Sequence, residues 1–116
     1  FFSFDAAKSN PRIFKDWLRA NRPDVILTLF RSVEQWLGDL QIRVPEEVGL
    51  VQLEWRAGNP HWAGMHQHND IVGEAAVDMT VNQIHNGERG FPEFPRATLI
   101  GATWVDGSTI RPPQAR

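Results

Sequence analysis

Three of the four histidines in this chain, His61, His66 and His68, crowd into one short stretch with Asp70 just behind them. Imidazoles beside a carboxylate can hold zinc or a non-haem iron, and in an extended segment His66 and His68 point to the same side. The downstream spacing to a third ligand is poor, however, and H-x-H metal sites of this type belong to all-β proteins. The histidines are therefore expected on the surface or lining a cleft, without a bound metal or other cofactor. A metal-dependent enzyme built on His66 and His68 is the least favoured alternative. Glu54 lies just upstream, where an apolar run ends, placed either to orient a polar ligand or to accept backbone N–H groups. Trp55 and Trp62 offer flat faces that could stack on a ring or a sugar, although Trp62 is at least as well explained by packing. Arg31-Ser32 opens a helix after another apolar run, a location that suits anions, with simple helix capping as the plainer role. Catalysis has no support: no nucleophile elbow, P-loop or glycine-rich dinucleotide motif is present, Tyr and Cys are absent, and no carboxylate pair is singled out.

These residues must be positioned by the elements around them. The stretch 48–78 begins with the apolar, β-branched run Val48–Leu53, which predicts a buried strand over about 48–54. A polar loop over 55–69 follows, then a helix over about 70–86 with a wide apolar face of Ile71, Val72, Ala75, Ala76, Met79 and Ile84. Upstream, Phe1–Phe4 reads as a short strand (about 1–5). Asn10-Pro11 marks a helix start, and Ile13, Phe14, Trp17 and Leu18 fall on one face of a helix over 11–21. Asn21-Arg22-Pro23 stops that helix. Asp24–Phe30 is a second buried-strand candidate, and Ser32 with Gln35 has capping-box spacing for a helix over about 33–40. Residues 87–96 form a Pro/Gly-rich connector, 97–105 a last strand, and the tail after Ile110 should fray. The alternation predicts an α/β fold with a parallel sheet flanked by helices and buried on both faces. In such sheets ligands sit outside the carboxyl ends of the strands, which is where Glu54 and the histidine loop fall.

Composition narrows the function classes. At 116 residues the chain is one domain or a piece of one, and its apolar start without an initiator Met reads as cut from something longer. With 41% hydrophobic and 22% charged residues it has ordinary globular make-up. A net charge of −2 without a Lys/Arg cluster lacks the footprint of a nucleic-acid-binding domain. No run approaches the ~20 apolar residues of a membrane span, and no signal peptide is visible. The absence of Cys rules out disulfides and thiolate chemistry and fits a cytoplasmic location.

Several segments together resemble the lactose-repressor (LacI) family of transcriptional regulators. PDVILTLF, a helix and then RVPEEVGLVQLEW resemble the family's "rVPeDvglv" passage. AGMHQHNDIVGEAAVDMTVNQIHNGERG resembles the segment where a strand-end acid, a loop and the helix "iG..AV..l" follow in order. TLIGATWVDGSTIR resembles the closing "G.wv.G.TvR" strand. The resemblance implies an incomplete C-terminal lobe of the two-lobed, type I periplasmic-binding-protein-like fold. Residues 1–68 would form that lobe, 69–111 the crossover helix and last strand, and 112–116 a tail.

The resemblance also implies a function: an effector between the lobes, possibly a carbohydrate, modulates operator DNA binding by a domain outside this chain, in a homodimer. By position the implied ligand contacts are Phe30, Arg31 and Ser32 after the second strand, Glu54 at the third strand's end, and Gln67 and Asn69 before the helix; Trp55 joins them as a stacking surface. The family usually has Asn-Asp where Phe30-Arg31 stand and Asp where Glu54 stands, and the helix after Ser32 is shorter here. The helix at about 70–86 belongs to the first lobe in the family, so in this chain it should lack much of its sheet. A solute-binding protein of the same fold is the alternative function.

Overall fold

The computed structural model of the protein describes residues 3–113. Its centre is a four-stranded sheet in which order in space follows order in sequence: β1 (Val25–Thr28), β2 (Gly49–Gln52), β3 (Ala63–His66) and β4 (Thr103–Val105). β1, β2 and β3 are parallel neighbours, with Ile26 opposite Leu50 and Val51 opposite Ala63, while β4 runs antiparallel to β3. Four helices accompany the sheet: α1 (Phe4–Ser9), α2 (Pro11–Asn21), α3 (Ser32–Asp39) and α4 (Asn69–His85). The fold is thus α/β with a mixed sheet. The parallel pairing of β1 with β2 across helix α3 is the arrangement the alternation predicts.

Where sequence and structure agree, local chemistry explains the agreement. Asn10 caps α2 by accepting from the Arg12 N–H at 3.1 Å, and Pro11 occupies the first turn, where its missing N–H costs nothing. Arg22 ends the helix in the left-handed region, donating its N–H to Leu18 O at 2.9 Å, just before Pro23.

Four expectations are corrected. The strand over about 1–5 is replaced by a helix: Ser3 Oγ accepts the Ala6 N–H at 3.4 Å, and Phe4 and Asp5 lie inside α1. Phe1 and Phe2 lie outside the described residues. The Ser32–Gln35 capping box does not form, because Ser32 is already helical and Arg31, at the cap position, makes no side-chain cap bond. The Thr28 hydroxyl accepts the Phe30 N–H at 2.9 Å and turns the chain into the helix early. The loop over 55–69 contains β3, tied to the preceding turn by the Trp55 N–H to Met65 O bond of 2.9 Å. Ala63 and Gly64 carry no strand signature, but a Cβ on Gly64 would collide with the Gln52 carbonyl, so glycine is what permits the close pairing with β2. Finally, the strand over 97–105 shrinks to Thr103–Val105, since residues 97–102 have no partner strand.

One face of the sheet holds the core, where Ile26 and Leu50 meet Phe14 and Leu18 of α2, Val33 and Leu37 of α3, and Trp62. Burying side chains of this size stabilises by about 1.5–3 kcal/mol each. The other face is open: burial alternates along β1, and Leu27 is 62% exposed. Burial on both faces is therefore also corrected, because among the described residues no helix covers the outer side of β1, where Leu27 is exposed.

Helix α4 has no buried residue. With the extended segment that follows, it forms an arm over 69–102 that leaves the sheet after β3 and returns at β4. Ile71 and Val72 lie on one side of α4, and Val77, Val81 and Ile84 on another; all five are exposed. An apolar surface on more than one side belongs to a helix that is buried. The radius of gyration is 19.6 Å, against about 13 Å for a compact chain of this length. The accessible surface is 9129 Å², against roughly 6,400 Å² for a folded protein of this mass. Among the described residues no helix is long and apolar enough to cross a membrane.

Candidate functional site

The carboxyl ends of β1, β2 and β3 lie side by side because the three strands are parallel and in register, so the segments that follow them share one rim. β1 delivers Arg31, β2 delivers Glu54, Trp55 and Arg56, and β3 delivers Gln67, His68 and Asn69. Two hydrogen bonds lock the rim to the sheet. Gln52 Nε2 donates to Leu29 O at 2.9 Å, joining the ends of β2 and β1. Gln67 Nε2 donates to Leu53 O at 2.9 Å, joining the ends of β3 and β2.

Glu54 is the hub. Its Oε1 accepts from Asn69 Nδ2 at 3.3 Å and from Arg56 Nη2. Trp55 is oriented from both ends: its N–H bonds Met65 O, and its indole Nε1 donates to Trp62 O at 2.9 Å. Beside it opens a recess of about 270 Å³ lined by Trp55, Arg56, His66, Gln67, His68 and Asn69, among others. A narrow slot of about 10 Å³, wide enough for one water, adjoins it through Trp55 and Arg56 and extends to Arg31 and Glu54. The Arg31 guanidinium lies against the side-chain amide of Asn59.

Of the residues expected at the site, Arg31, Glu54, Trp55, Gln67 and Asn69 therefore line two adjoining recesses. Phe30 does not join them: its ring stacks on Phe4 at 3.6 Å, on the side of an apolar groove formed with Phe14, Trp17 and Leu27. Ser32 is half-buried in the first turn of α3 and lines neither recess. Trp62 is core, 1% exposed, with its Nε1 donating to Glu34 Oε2 at 3.0 Å. His61 also bonds Glu34, at 3.1 Å, away from the other two histidines. Comparison of the chain with family models, curated proteins and solved structures gave no match.

The rim can present acceptors and donors together: a carboxylate, two amides, two guanidinium groups and an indole face. That mixture suits an uncharged polar molecule with several hydroxyl or amide groups. Among the described residues no three His, Asp or Glu side chains gather as a metal site would require. The ring nitrogens His66 Nδ1 and His68 Nε2 are already engaged, with the His68 N–H and Thr103 Oγ1. Arg56 was not singled out in the sequence, although its place two residues after Glu54, at a strand end, is a readable signal. The partnership of His68 with Thr103 spans the whole arm and has no local signal.

Proposed function

We propose that this chain is the effector-sensing part of a LacI-type transcriptional regulator, forming one wall of a cleft that closes on a small, sugar-like molecule. The observation that carries the reading is the hydrogen bond between Glu54, at the end of β2, and Asn69, at the start of α4, at the mouth of an open recess. An acid and an amide from successive strand ends, beside an aromatic face, are what the family resemblance asks of this position. The recess falls short of the roughly 300–1,000 Å³ usual for a ligand pocket, as one wall of a two-sided cleft should.

The arm supports the same reading. It departs from the rim itself, and its apolar sides are bare. In the periplasmic-binding-protein-like plan, α4 and its return segment pack into a first lobe contributed by another part of the parent protein, with DNA binding lying in a further domain. Operator release is the test. In fluorescence anisotropy with a labelled operator duplex, the parent should change its affinity when a cognate monosaccharide or related small molecule is added, and Asn69→Ala should blunt that response. DNA affinity indifferent to every effector candidate counts against regulation. A helix-turn-helix encoded upstream favours the regulator; a signal peptide there favours a solute-binding protein of the same fold.

A further inference from the structure

The two outer strands of the sheet differ. β4 is three residues long, and its Trp104 is tied to Asp106 just beyond its end. β1 is the other outer strand, and we infer that its free edge pairs with the same edge of a second copy of this chain. The pairing is antiparallel about a two-fold axis at Leu27, so that two four-stranded sheets become one. Among the described residues β1 pairs only with β2. The carbonyls of Asp24 and Thr28 accept the N–H groups of Gly49 and Leu53 at 2.8 and 2.9 Å. Alternate residues of a strand bond to the same neighbour, so Asp24, Ile26 and Thr28 face β2. The backbone N–H and C=O groups of Val25 and Leu27 therefore point away from β2, along the free edge.

A row of outward backbone groups is a template for another strand, and edge strands are ordinarily guarded by a charge, a proline or a bulge. None of these guards the segment from Val25 to Phe30. It reads VILTLF, without a charge or a proline, and its register with β2 is unbroken. Val25, Leu27 and Leu29 are all exposed. An apolar groove of about 320 Å³, lined by Phe4, Trp17, Leu27, Leu29 and Phe30 among others, lies along the same segment.

Register and charge commit this edge to a second copy. A two-fold dimer joins identical patches, and partners across an antiparallel pair point their side chains to the same face. Odd-numbered residues of β1 must then meet odd, and even meet even. An axis at Leu27 sets Leu27 against Leu27, Val25 alongside Leu29, and Ile26 against Thr28. The outward N–H and C=O groups of Leu27 in each copy then bond one another, and Val25, Leu27 and Leu29 of both copies form one apolar stripe. Asp24 precedes this segment and Arg31 follows it, both exposed. Antiparallel pairing carries Asp24 of each copy toward the Arg31 end of the other, so opposite charges approach at both ends. Parallel pairing would align like charges instead.

Sedimentation equilibrium of the full 116-residue chain tests the pairing. The wild type should sediment at twice its 13.2 kDa mass. Leu27→Lys sets two like charges against each other on the axis and should sediment as a monomer, with its far-ultraviolet dichroism retained because the side chain is exposed. Ile84→Lys, at an exposed apolar position on the arm, should remain a dimer. The wild type alone supplies a further readout. In a mixture of isotope-labelled and unlabelled chains, magnetic resonance should show an intermolecular contact between the Hα atoms of Ile26 and Thr28, which face each other in a non-hydrogen-bonded antiparallel pair. A monomeric wild type would leave the edge to a strand from elsewhere and overturn the proposal. A dimer that survives Leu27→Lys, one lost in Ile84→Lys, or one without the Ile26–Thr28 contact overturns it as well. No effector enters these measurements, so their failure is distinct from failure of the effector-binding reading.

Discussion

Asn69 Nδ2 donates to Glu54 Oε1 across 3.3 Å, linking the end of β2 to the first turn of α4. Both partners are at least partly exposed, so the bond contributes little to folding. Removing the amide with Asn69→Ala should change stability by no more than about 0.5 kcal/mol, the usual range for surface substitutions. Effector affinity should fall, because the carboxylate loses the group that orients it. Urea denaturation and ligand titration on the same preparations separate the two effects, and comparable losses in both would show that Asn69 serves the fold.

Thr109 makes the opposite case. It is 2% exposed, and its hydroxyl donates to Leu50 O at 2.8 Å while accepting the Ala63 N–H at 2.9 Å, so one side chain bridges β2 and β3. Thr109→Val keeps the shape but leaves the Ala63 N–H and the Leu50 carbonyl without that partner. The expected cost is about 1–3 kcal/mol, the penalty for a buried polar group left unmade, read as a lower urea midpoint with an unchanged slope. Thr109→Ser should recover most of it.

Glu47 provides a pH signature of the fold. Its carboxylate accepts from the Arg43 N–H at 3.0 Å and from the Arg43 guanidinium at 3.1 Å. The backbone bond first, and the side-chain bond after it, hold Glu47 below its ordinary value. A depressed folded-state pKa contributes stability that is present above the unfolded carboxylate value and lost as pH falls through the folded one. Acid titration of wild-type stability should therefore contain a small component in that window. Glu47→Gln should lack it, and the difference between the two curves should vanish at the acid end.

The arm yields a test by context. Ile84 is 69% exposed and Val77 62% exposed. In the 116-residue chain, Val77→Ser and Ile84→Ser should be neutral within about 0.5 kcal/mol. In the longer parent, where the proposed first lobe covers them, each should cost about 1.5–3 kcal/mol, the value of burying such a side chain. Equal, negligible effects in both contexts would leave the arm without its proposed cover.

How much of this was legible in the sequence depended on whether the signal was local. Helix α2 could be read from Asn10, Pro11 and the Phe14/Leu18 face, and the parallel β1–β2 pair from two apolar runs separated by helix α3. Strand β3 could not, because Ala63-Gly64-Met65-His66 has neither a β-branched run nor alternation. It is a strand because Gly64 lets the backbone approach Gln52 and because Thr109, far along the chain, supplies a hydroxyl to the Ala63 N–H. Ser3 and the alanines at 6 and 7 outweighed the apolar start and made a helix where a strand was expected. At the site, Glu54, Gln67 and Asn69 converge because β2 and β3 end together; Glu54 could be read as a strand-end acid, whereas Gln67 and Asn69 fall in an expected loop and are placed only by the family resemblance. Phe30 is drawn away by stacking on Phe4, a contact that depends on α1, where the apolar start points to a strand instead.

The central claim, that this rim is one wall of an effector cleft, is tested most directly by the contribution of Glu54 to ligand affinity. Thermal shift of the parent protein against pentoses, hexoses, disaccharides and nucleobases identifies the compound that stabilises it most, and calorimetry then gives its dissociation constant for wild type and Glu54→Ala. A carboxylate that meets the ligand should make the variant bind at least about tenfold more weakly, roughly 1.4 kcal/mol, with the unfolding midpoint of the free protein unchanged. Equal affinity in the two proteins, or no stabilising compound in the panel, would contradict it.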